Sequence, residues 1–500
     1  MLATTPNVLL IHIIASSIPL VHSYLTPTSQ ANGPQAVCQQ LREVVGDDAI
    51  RPYDEEYETL RTKNWVETAW GMPTCIFQPR TKDELQQGTG IIIDNQVNLA
   101  VRSGGHSPHH GFANVDSGVL IDMAGFNRLV YDQQEETTIV GSGLTWGDVY
   151  SYLEPYETVV VGGRVLDVGV GGLILGGGLS WLTDLYGLAC DNVVNFEVLL
   201  SNGTFVNANA QENTNLYVAL KGGTNNFGIV TEFNLRNYPL GKIWGGIRTY
   251  TIEDLPAIVK AYHEFQSTPS KDPYANLIIL SSPTNSTVGV LVSMIYLKPE
   301  DNPAAFSAFD DIPTTSDNTG IKSFTSYLAE YVIPMDVRAD WHTVSFKADL
   351  ALYEDIANII QNTSAVSTMK SIQGGFLAAT LQPISSRVAG LGDERGGNIL
   401  GLEAVDQSWL SFTTAWLWPS DDSTVHTAEG DATSQVRAAS RKRGKDLPYL
   451  FMNDASWDQD VLASYGPENV QKMREVQEQY DPELVFQNLV QGGFKLFSKN

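Results

Sequence analysis

The sequence predicts a mixed helix-and-strand (α+β) protein of two to four domains, and three observations predict it. The chain has 500 residues, more than one hydrophobic core usually holds. Helix-like and strand-like segments interleave with no internal repeat or low-complexity tract. Glycine is spread unevenly: it is dense from about 100 to 230 and thins past Pro239, so a second domain is expected from about 243 to 450. Apolar residues make up 43% of the chain and aromatics 10%, enough for a large core and too much for disorder. Asp and Glu total 57 against 31 Lys and Arg, a formal charge of −26. That charge points away from nucleic acid and anionic membrane surfaces as partners. The basic run Arg441-Lys442-Arg443, with Lys445, reads as a solvated helix face.

In chain order, Val8 to Val21 is an apolar core of signal-peptide length, with small residues placing cleavage after Ser23. The segment before it lacks Lys and Arg. No later run is long enough to cross a membrane, so a soluble, secreted or secretory-pathway protein is expected. Its three cysteines predict one pair, Cys38 with Cys75, and one buried free thiol, Cys190. Asn-x-Ser/Thr acceptors stand at Asn285 and Asn362, and at Asn202 in a stretch that also reads as a hairpin turn. A helix is expected over 34–46. Thr81 to Glu84 has the form of a capping box opening a helix to about Asp94. Val119–Asp122, Thr137–Val140 and Val193–Leu200 read as strands. Gly141–Leu153 passes from glycine loop to helix, and Lys221–Leu235 passes from turn to strand. A polar helix is expected over Glu468–Tyr480, stopped by Asp481-Pro482.

Two stretches carry the chemistry. In Arg102-Ser103-Gly104-Gly105-His106-Ser107 a short strand breaks into glycines. Consecutive N–H groups there can face one concavity and bind an anion; alternatively this is a hairpin turn that happens to hold a histidine. Between Val159 and Asn192 glycines alternate with Val, Leu and Ile. A linker would be polar, so this reads as packed backbone approached closely by something flat or bulky, or as a loop-rich core without a ligand.

The glycine segments come as an ordered set: RSGGHS at 102–107, GSGLTWGDVY at 141–150, GGRVLDVGVGGLILGGG at 162–178, DNVV at 191–194 and GGTNNFGIVT at 222–231. With YDPELVFQNLV near the end, the set resembles the berberine-bridge-enzyme-like FAD-linked oxidases of the vanillyl-alcohol-oxidase (PCMH-type FAD-binding) superfamily. The resemblance is strong over 70–242, good over 445–497 and loose between. No GxGxxG follows a first strand with the acidic partner an ordinary dinucleotide fold needs.

After the signal peptide at 1–23 and a lead-in at 24–69, the resemblance implies a two-subdomain FAD-binding domain at 70–242. A substrate domain at 243–450 would carry an antiparallel sheet covered by helices, and 451–500 would return to the FAD-binding domain. It implies that Arg102, Ser103, Gly104 and Gly105 wrap the FAD pyrophosphate and that His106 bonds covalently to the flavin's benzenoid-ring methyl carbon. Further matching cofactor positions are Ser107, Gly141, Gly163, Val168, Gly171, Gly172, Gly177, Gly178, Asn192, Phe227, Gly228, Ile229, Asn453 and Asn488. Many relatives form a second flavin bond through cysteine; Val165 stands at that position, so attachment through His106 alone is expected. Val168, at the position gating oxygen, favours an oxidase using dioxygen.

The tyrosines of the family's Tyr-x-Asn-Tyr segment are replaced in Phe451-Met452-Asn453-Asp454. Asp454 is then either the catalytic base or a cap for the next segment, with Tyr449 a second candidate. Ser411 matches another base position and cannot serve alone; Tyr296 and His342 are more remote candidates. The expected substrate is a small alcohol, amine or secondary-metabolite intermediate. A dehydrogenase, an oxidative cyclase, a carbohydrate oxidase and a non-catalytic ligand-binding relative are the alternatives. No metal is expected.

Overall fold

Three sheets organise the chain, and their positions decide what meets at the site. The computed structural model describes residues 33–268, 271–330 and 337–496; the expected signal segment lies outside them. The first helix, Pro34–Val45, has its proline in the first turn, where the missing N–H has no partner to lose. It buries Val37, Cys38 and Leu41 and stops one residue short of expectation, before Gly46 at φ +61°. A disulfide joins Cys38 to Cys75 over a separation of 37 residues, which by loop closure contributes about 4 kcal/mol. Cys190 is a buried free thiol.

The first sheet runs Ala49–Ile50, Cys75–Phe77, Val119–Asp122, Leu99–Arg102, with the last three mutually parallel. Helix Lys82–Asp94 connects Cys75–Phe77 to Leu99–Arg102, and the capping box read at Thr81 and Glu84 is formed. The second sheet is antiparallel. Its long strand Ile229–Pro239 lies between Thr137–Gly141 and Val193–Leu199. The α-helices of the glycine-dense stretch are short, Val170–Leu175 and Thr183–Tyr186, and its Trp181 shares a core with Trp146 and Phe227.

The third sheet has nine antiparallel strands. Within it Phe376–Ile384, Gln407–Trp416 and Arg338–Lys347 are neighbours, and side chains alternate between their faces. One face is apolar: Leu381, Leu410, Phe412 and Val344 share a core with residues of helices Leu255–Ser267, Leu350–Asn362 and Asp422–Lys442. The other face is aromatic and polar. Across it run Trp341, Thr413 and Ala378; Thr343, Ser411 and Thr380; and Ser345, Trp409 and Gln382. This is the expected antiparallel sheet covered by helices.

The polar tail helix, Pro467–Tyr480, is followed by a turn in which Asp481 accepts from the N–H groups of Val485 and Phe486, both at 2.9 Å. Val485, Phe486, Leu489 and Val490 then join the core of the first sheet, and Leu99 N–H donates to Leu489 O at 2.9 Å. No helix among the described residues is long and apolar enough to cross a membrane.

Candidate flavin and substrate site

Strand Leu99–Arg102 ends in the loop read as an anion cradle, and that loop interlocks with the second glycine stretch. A Cβ on Gly104 would lie 2.4 Å from Gly169 N, and one on Gly169 would lie 2.2 Å from Gly104 N. Two backbones therefore cross where no side chain fits. Ser103 Oγ fastens the crossing: it donates to Ser142 O at 2.6 Å and accepts from Gly171 N–H at 3.2 Å. Gly105 turns the chain at φ +72°. Gly172 has nothing within 4 Å of its Cβ position, so its side faces open space.

The expected wrap of a pyrophosphate by Arg102 would fall to its backbone N–H, because its side chain is held elsewhere. Its side chain is fully buried and turns away from the cradle, donating to Asp122 at 2.8 Å and to Asn64 at 3.0 Å. Burial pushes the Asp122 carboxyl up, but the Arg102 guanidinium outweighs it and holds the group below its ordinary value. Arg102 anchors the loop, and its charge is committed to Asp122 rather than to an anion.

His106 points into the site from the crossing. Its ring stacks on Trp65, with centroids 4.3 Å apart and planes 10° apart, and Trp65 stacks on Trp341 at 5.5 Å. Its Nε2 is buried without a hydrogen-bond partner, 3.8 Å from Asp167. Burial pushes the imidazole pKa down, against the pull of the Asp167 carboxylate. The ring is therefore neutral near neutral pH, the nucleophilic form.

Asp454 stands where the tail meets the glycine stretch and the third sheet. Gln382, on the polar face of that sheet, donates from Nε2 to Asp454 Oδ2 at 2.8 Å, and Arg164 donates to Gln382 Oε1. The residue keeps some exposure while its carboxyl group is enclosed by protein. That enclosure pushes its pKa up, and the Arg164 charge and the Gln382 bond oppose the rise. The partner of Asp454 is a side chain on another element, which is not how a cap bonds. Its neighbour Asn453 staples the segment to the glycines, accepting from Gly178 N–H at 3.1 Å and donating to Gly172 O at 3.3 Å.

The other candidates divide. Ser411 lies on the polar face with Thr343 and Thr380. Tyr449 packs against Trp409 at 5.1 Å with its hydroxyl buried and unpartnered. Burial raises its pKa well above the ordinary phenol value, so it keeps its proton and does not fit the role of base. His342 pairs in register with Phe412 and faces the helices, away from Trp341 and Ser411. Tyr296 donates to Asp272 at 2.8 Å, also remote from Asp454. Val168 is half-buried, and its carbonyl accepts from Trp146 N–H at 3.0 Å.

Several expected cofactor positions also make packing contacts within the protein. Gly141, Gly163 and Gly228 lie against Phe126 O, the Trp146 ring and Val198. Phe227 and Ile229 are core residues. Asn192 bonds Tyr186 O, Leu188 O and the Tyr238 hydroxyl. Ser107 Oγ accepts from His109 N–H at 3.3 Å, and Asn488 is exposed. Gly177 and Gly178 take positive φ, 108° and 79°, where the ribbon turns beside Asn453. Trp65, Trp341, Arg164, Asp167 and Gln382 went unread because only tertiary contact and strand register bring them here.

Comparison with known proteins places the chain among FAD-dependent oxidoreductases. A family model described as an FAD binding domain matches residues 73–209. An FAD-dependent monooxygenase of Arthrobotrys oligospora is 35% identical over 467 residues, 92% of this chain and 89% of that protein. The bifunctional solanapyrone synthase of Alternaria solani is 35% identical over 477 residues, 94% and 90% of the two chains. Among solved structures, glucooligosaccharide oxidase of Acremonium strictum, described with a 6-S-cysteinyl, 8α-N1-histidyl FAD, superposes with a TM-score of 0.76 at 15% identity. That match covers 93% of this chain and 99% of that one. For 6-hydroxy-D-nicotine oxidase of Arthrobacter nicotinovorans the values are 0.74, 20%, 93% and 98%. At these identities the structural likeness is one of fold.

The residues present fit FAD. The glycine crossing leaves backbone bare at Gly172, where a pyrophosphate or flat ring can approach without meeting a side chain. His106 Nε2 and Ser142 Oγ are buried polar atoms without protein partners, which a polar ligand would satisfy. The neutral imidazole of His106 is a nucleophile held at the cradle.

Proposed function

We propose a specific chemistry from one premise: the chain belongs to the berberine-bridge-enzyme-like FAD-linked oxidases of the vanillyl-alcohol-oxidase superfamily. It is an FAD-dependent oxidoreductase. The finer reading is an oxidase for a small alcohol, amine or secondary-metabolite intermediate, with FAD attached through His106 alone. FAD held at the glycine crossing and His106 would supply a two-electron acceptor for hydride from the substrate carbon, with dioxygen as the final acceptor and hydrogen peroxide as its product. Asp454 accepts the proton from the substrate O–H or N–H as its carbon loses hydride, so an alcohol becomes a carbonyl compound and an amine an imine.

The observation that carries this reading is a pair of groups joined to one glycine stretch. His106 is a neutral, unpartnered imidazole beside Asp167, and Asp454 is an enclosed carboxyl beside Arg164. One suits nucleophilic attachment and the other proton abstraction. Gln382 holds the carboxyl in place. Trp341, half-buried on the polar face of the third sheet, offers flat apolar surface for a small ring-bearing substrate. Val165 supports a single attachment, because valine offers no sulfur for a second bond. Val168 is small and leaves room for dioxygen. The Cys38–Cys75 disulfide favours the secretory pathway, where the Asn285 and Asn362 acceptors would be glycosylated.

A second reading, monooxygenation, draws support from the name of the Arthrobotrys oligospora relative, and ring-closing oxidation draws it from the solanapyrone synthase. A panel of small alcohols, amines and polyketide-type intermediates separates them, read by peroxide release and by product mass under isotopically labelled dioxygen. The oxidase reading expects peroxide equal to product and no label in product. Labelled product without peroxide sinks it. Asp454→Asn is expected to remove turnover while leaving the flavin spectrum in place.

A further inference from the structure

We propose that Asp340, His426 and Glu429 form a binding site for one divalent metal ion of the zinc type, on the side of the third sheet away from the flavin. Their ligand atoms lie within 4.8 Å of one another. Asp340 comes from strand Arg338–Lys347, where it pairs in register with Thr414 and so faces the helices. His426 and Glu429 come from helix Asp422–Lys442, three residues apart and hence on one face.

Three features point to a ligand rather than to a chance cluster. Asp340 and Glu429 are each 1% exposed, and carboxylates almost never sit so deep unless paired or bound to a metal. Glu429 Oε1 is buried with no hydrogen-bond partner, and Glu429 makes no ion pair among the described residues. Asp340 Oδ2 lies 2.7 Å from His426 Nδ1, a pair that sets a carboxylate and an imidazole nitrogen within ligand reach of the unpartnered Glu429 oxygen.

The donor set selects the ion. Two carboxylates and one imidazole balance a dication and suit zinc with a water in the fourth position. His109 completes the site from outside. Its Nδ1 lies 3.3 Å from Asp340 Oδ1, and its Nε2–H donates to Ala455 O at 2.8 Å. That arrangement orients the carboxylate as an outer-shell partner does. His109 belongs to the same loop as His106, and Ala455 follows Asp454. The ion would therefore tie the flavin loop, the Asp454 segment and the helix layer together without touching substrate.

The test uses the full flavin-loaded protein, stripped by a chelator, reloaded with zinc chloride and passed through gel filtration. Elemental analysis should find a single zinc per chain, the melting temperature should rise on reloading, and zinc-edge anomalous diffraction should place the ion between the three side chains. His426→Ala and Glu429→Gln should lose the ion while keeping the flavin spectrum, and His109→Ala should weaken zinc binding about 10- to 100-fold. Reloaded wild-type protein that retains no zinc overturns the proposal, as does an anomalous peak elsewhere. Should a variant fail to fold, the wild-type stoichiometry and the anomalous map still decide.

Discussion

Adding one methyl group at Gly104 should strip the flavin from this protein while barely moving its melting point. The alanine Cβ would stand 2.4 Å from Gly169 N and 2.6 Å from Gly169 Cα, where carbon contacts normally lie at about 3.5–4 Å. Both partners are backbone, so no rotamer relieves the clash and the loops must part by roughly 1 Å. Overpacking of this kind costs about 1–3 kcal/mol. The Ser103 bonds to Ser142 and Gly171 are strained with it, at about 1 kcal/mol each. A cooperative unit of this size has an unfolding entropy near 1 kcal/mol per degree, so the melting temperature falls by only about 1–5 °C. The cradle, by contrast, loses its shape. Gly172→Ala is the matched control. Its Cβ meets nothing, and alanine in a helix is favoured by about 1 kcal/mol, so the flavin-free protein should be as stable as wild type or more so. Only a ligand in that open space would object. The assay is flavin absorbance per polypeptide beside a melting curve. Full flavin content and wild-type melting in Gly104→Ala would refute the tight crossing. Full flavin in Gly172→Ala would refute the placement of the cofactor.

Three further outcomes follow from the same contacts. In wild type the flavin should remain with the precipitate after acid treatment, and in His106→Ala it should pass to the supernatant. Asp454→Asn should lower kcat by about 10²- to 10⁴-fold; because burial raises the Asp454 pKa and the base works deprotonated, the wild-type rate should rise with pH through a limb above 3.8, and the limb should vanish in the variant. Asp122→Ala leaves the Arg102 charge buried and alone and should cost about 3–5 kcal/mol in urea unfolding at neutral pH. Asp122 titrates below its ordinary value, so its stabilisation is complete above that ordinary value. It is lost as pH falls through the folded pKa, and the cost of the substitution should shrink in acid.

What the sequence made legible was what needs no tertiary partner to be recognised. The glycine crossing could be read because close backbone approach excludes side chains, and bare glycines among Val and Leu show that directly. The capping box at Thr81 is likewise local. The side-chain bond of Arg102 was not legible, because its partner Asp122 lies on another strand and only the pairing of Leu99–Arg102 with Val119–Asp122 reveals it. Gln382 and Trp341 reach Asp454 and His106 through strand register, where a shift of one residue would turn them to the opposite face. Tyr449 looked chemically able, but the packing of Trp409 and Tyr465 around it keeps its proton in place. Trp65, which stacks on His106, lies in a stretch with no motif to announce it.

The central claim is an oxidase that returns its electrons to dioxygen, and it can be tested before any substrate is known. The purified flavoprotein is reduced anaerobically with dithionite, mixed with oxygenated buffer in a stopped-flow instrument, and followed by flavin absorbance with peroxide measured at the end. The account predicts reoxidation far faster than that of free reduced flavin, with one peroxide formed per flavin. Reoxidation no faster than free flavin would contradict it and point to an acceptor other than oxygen.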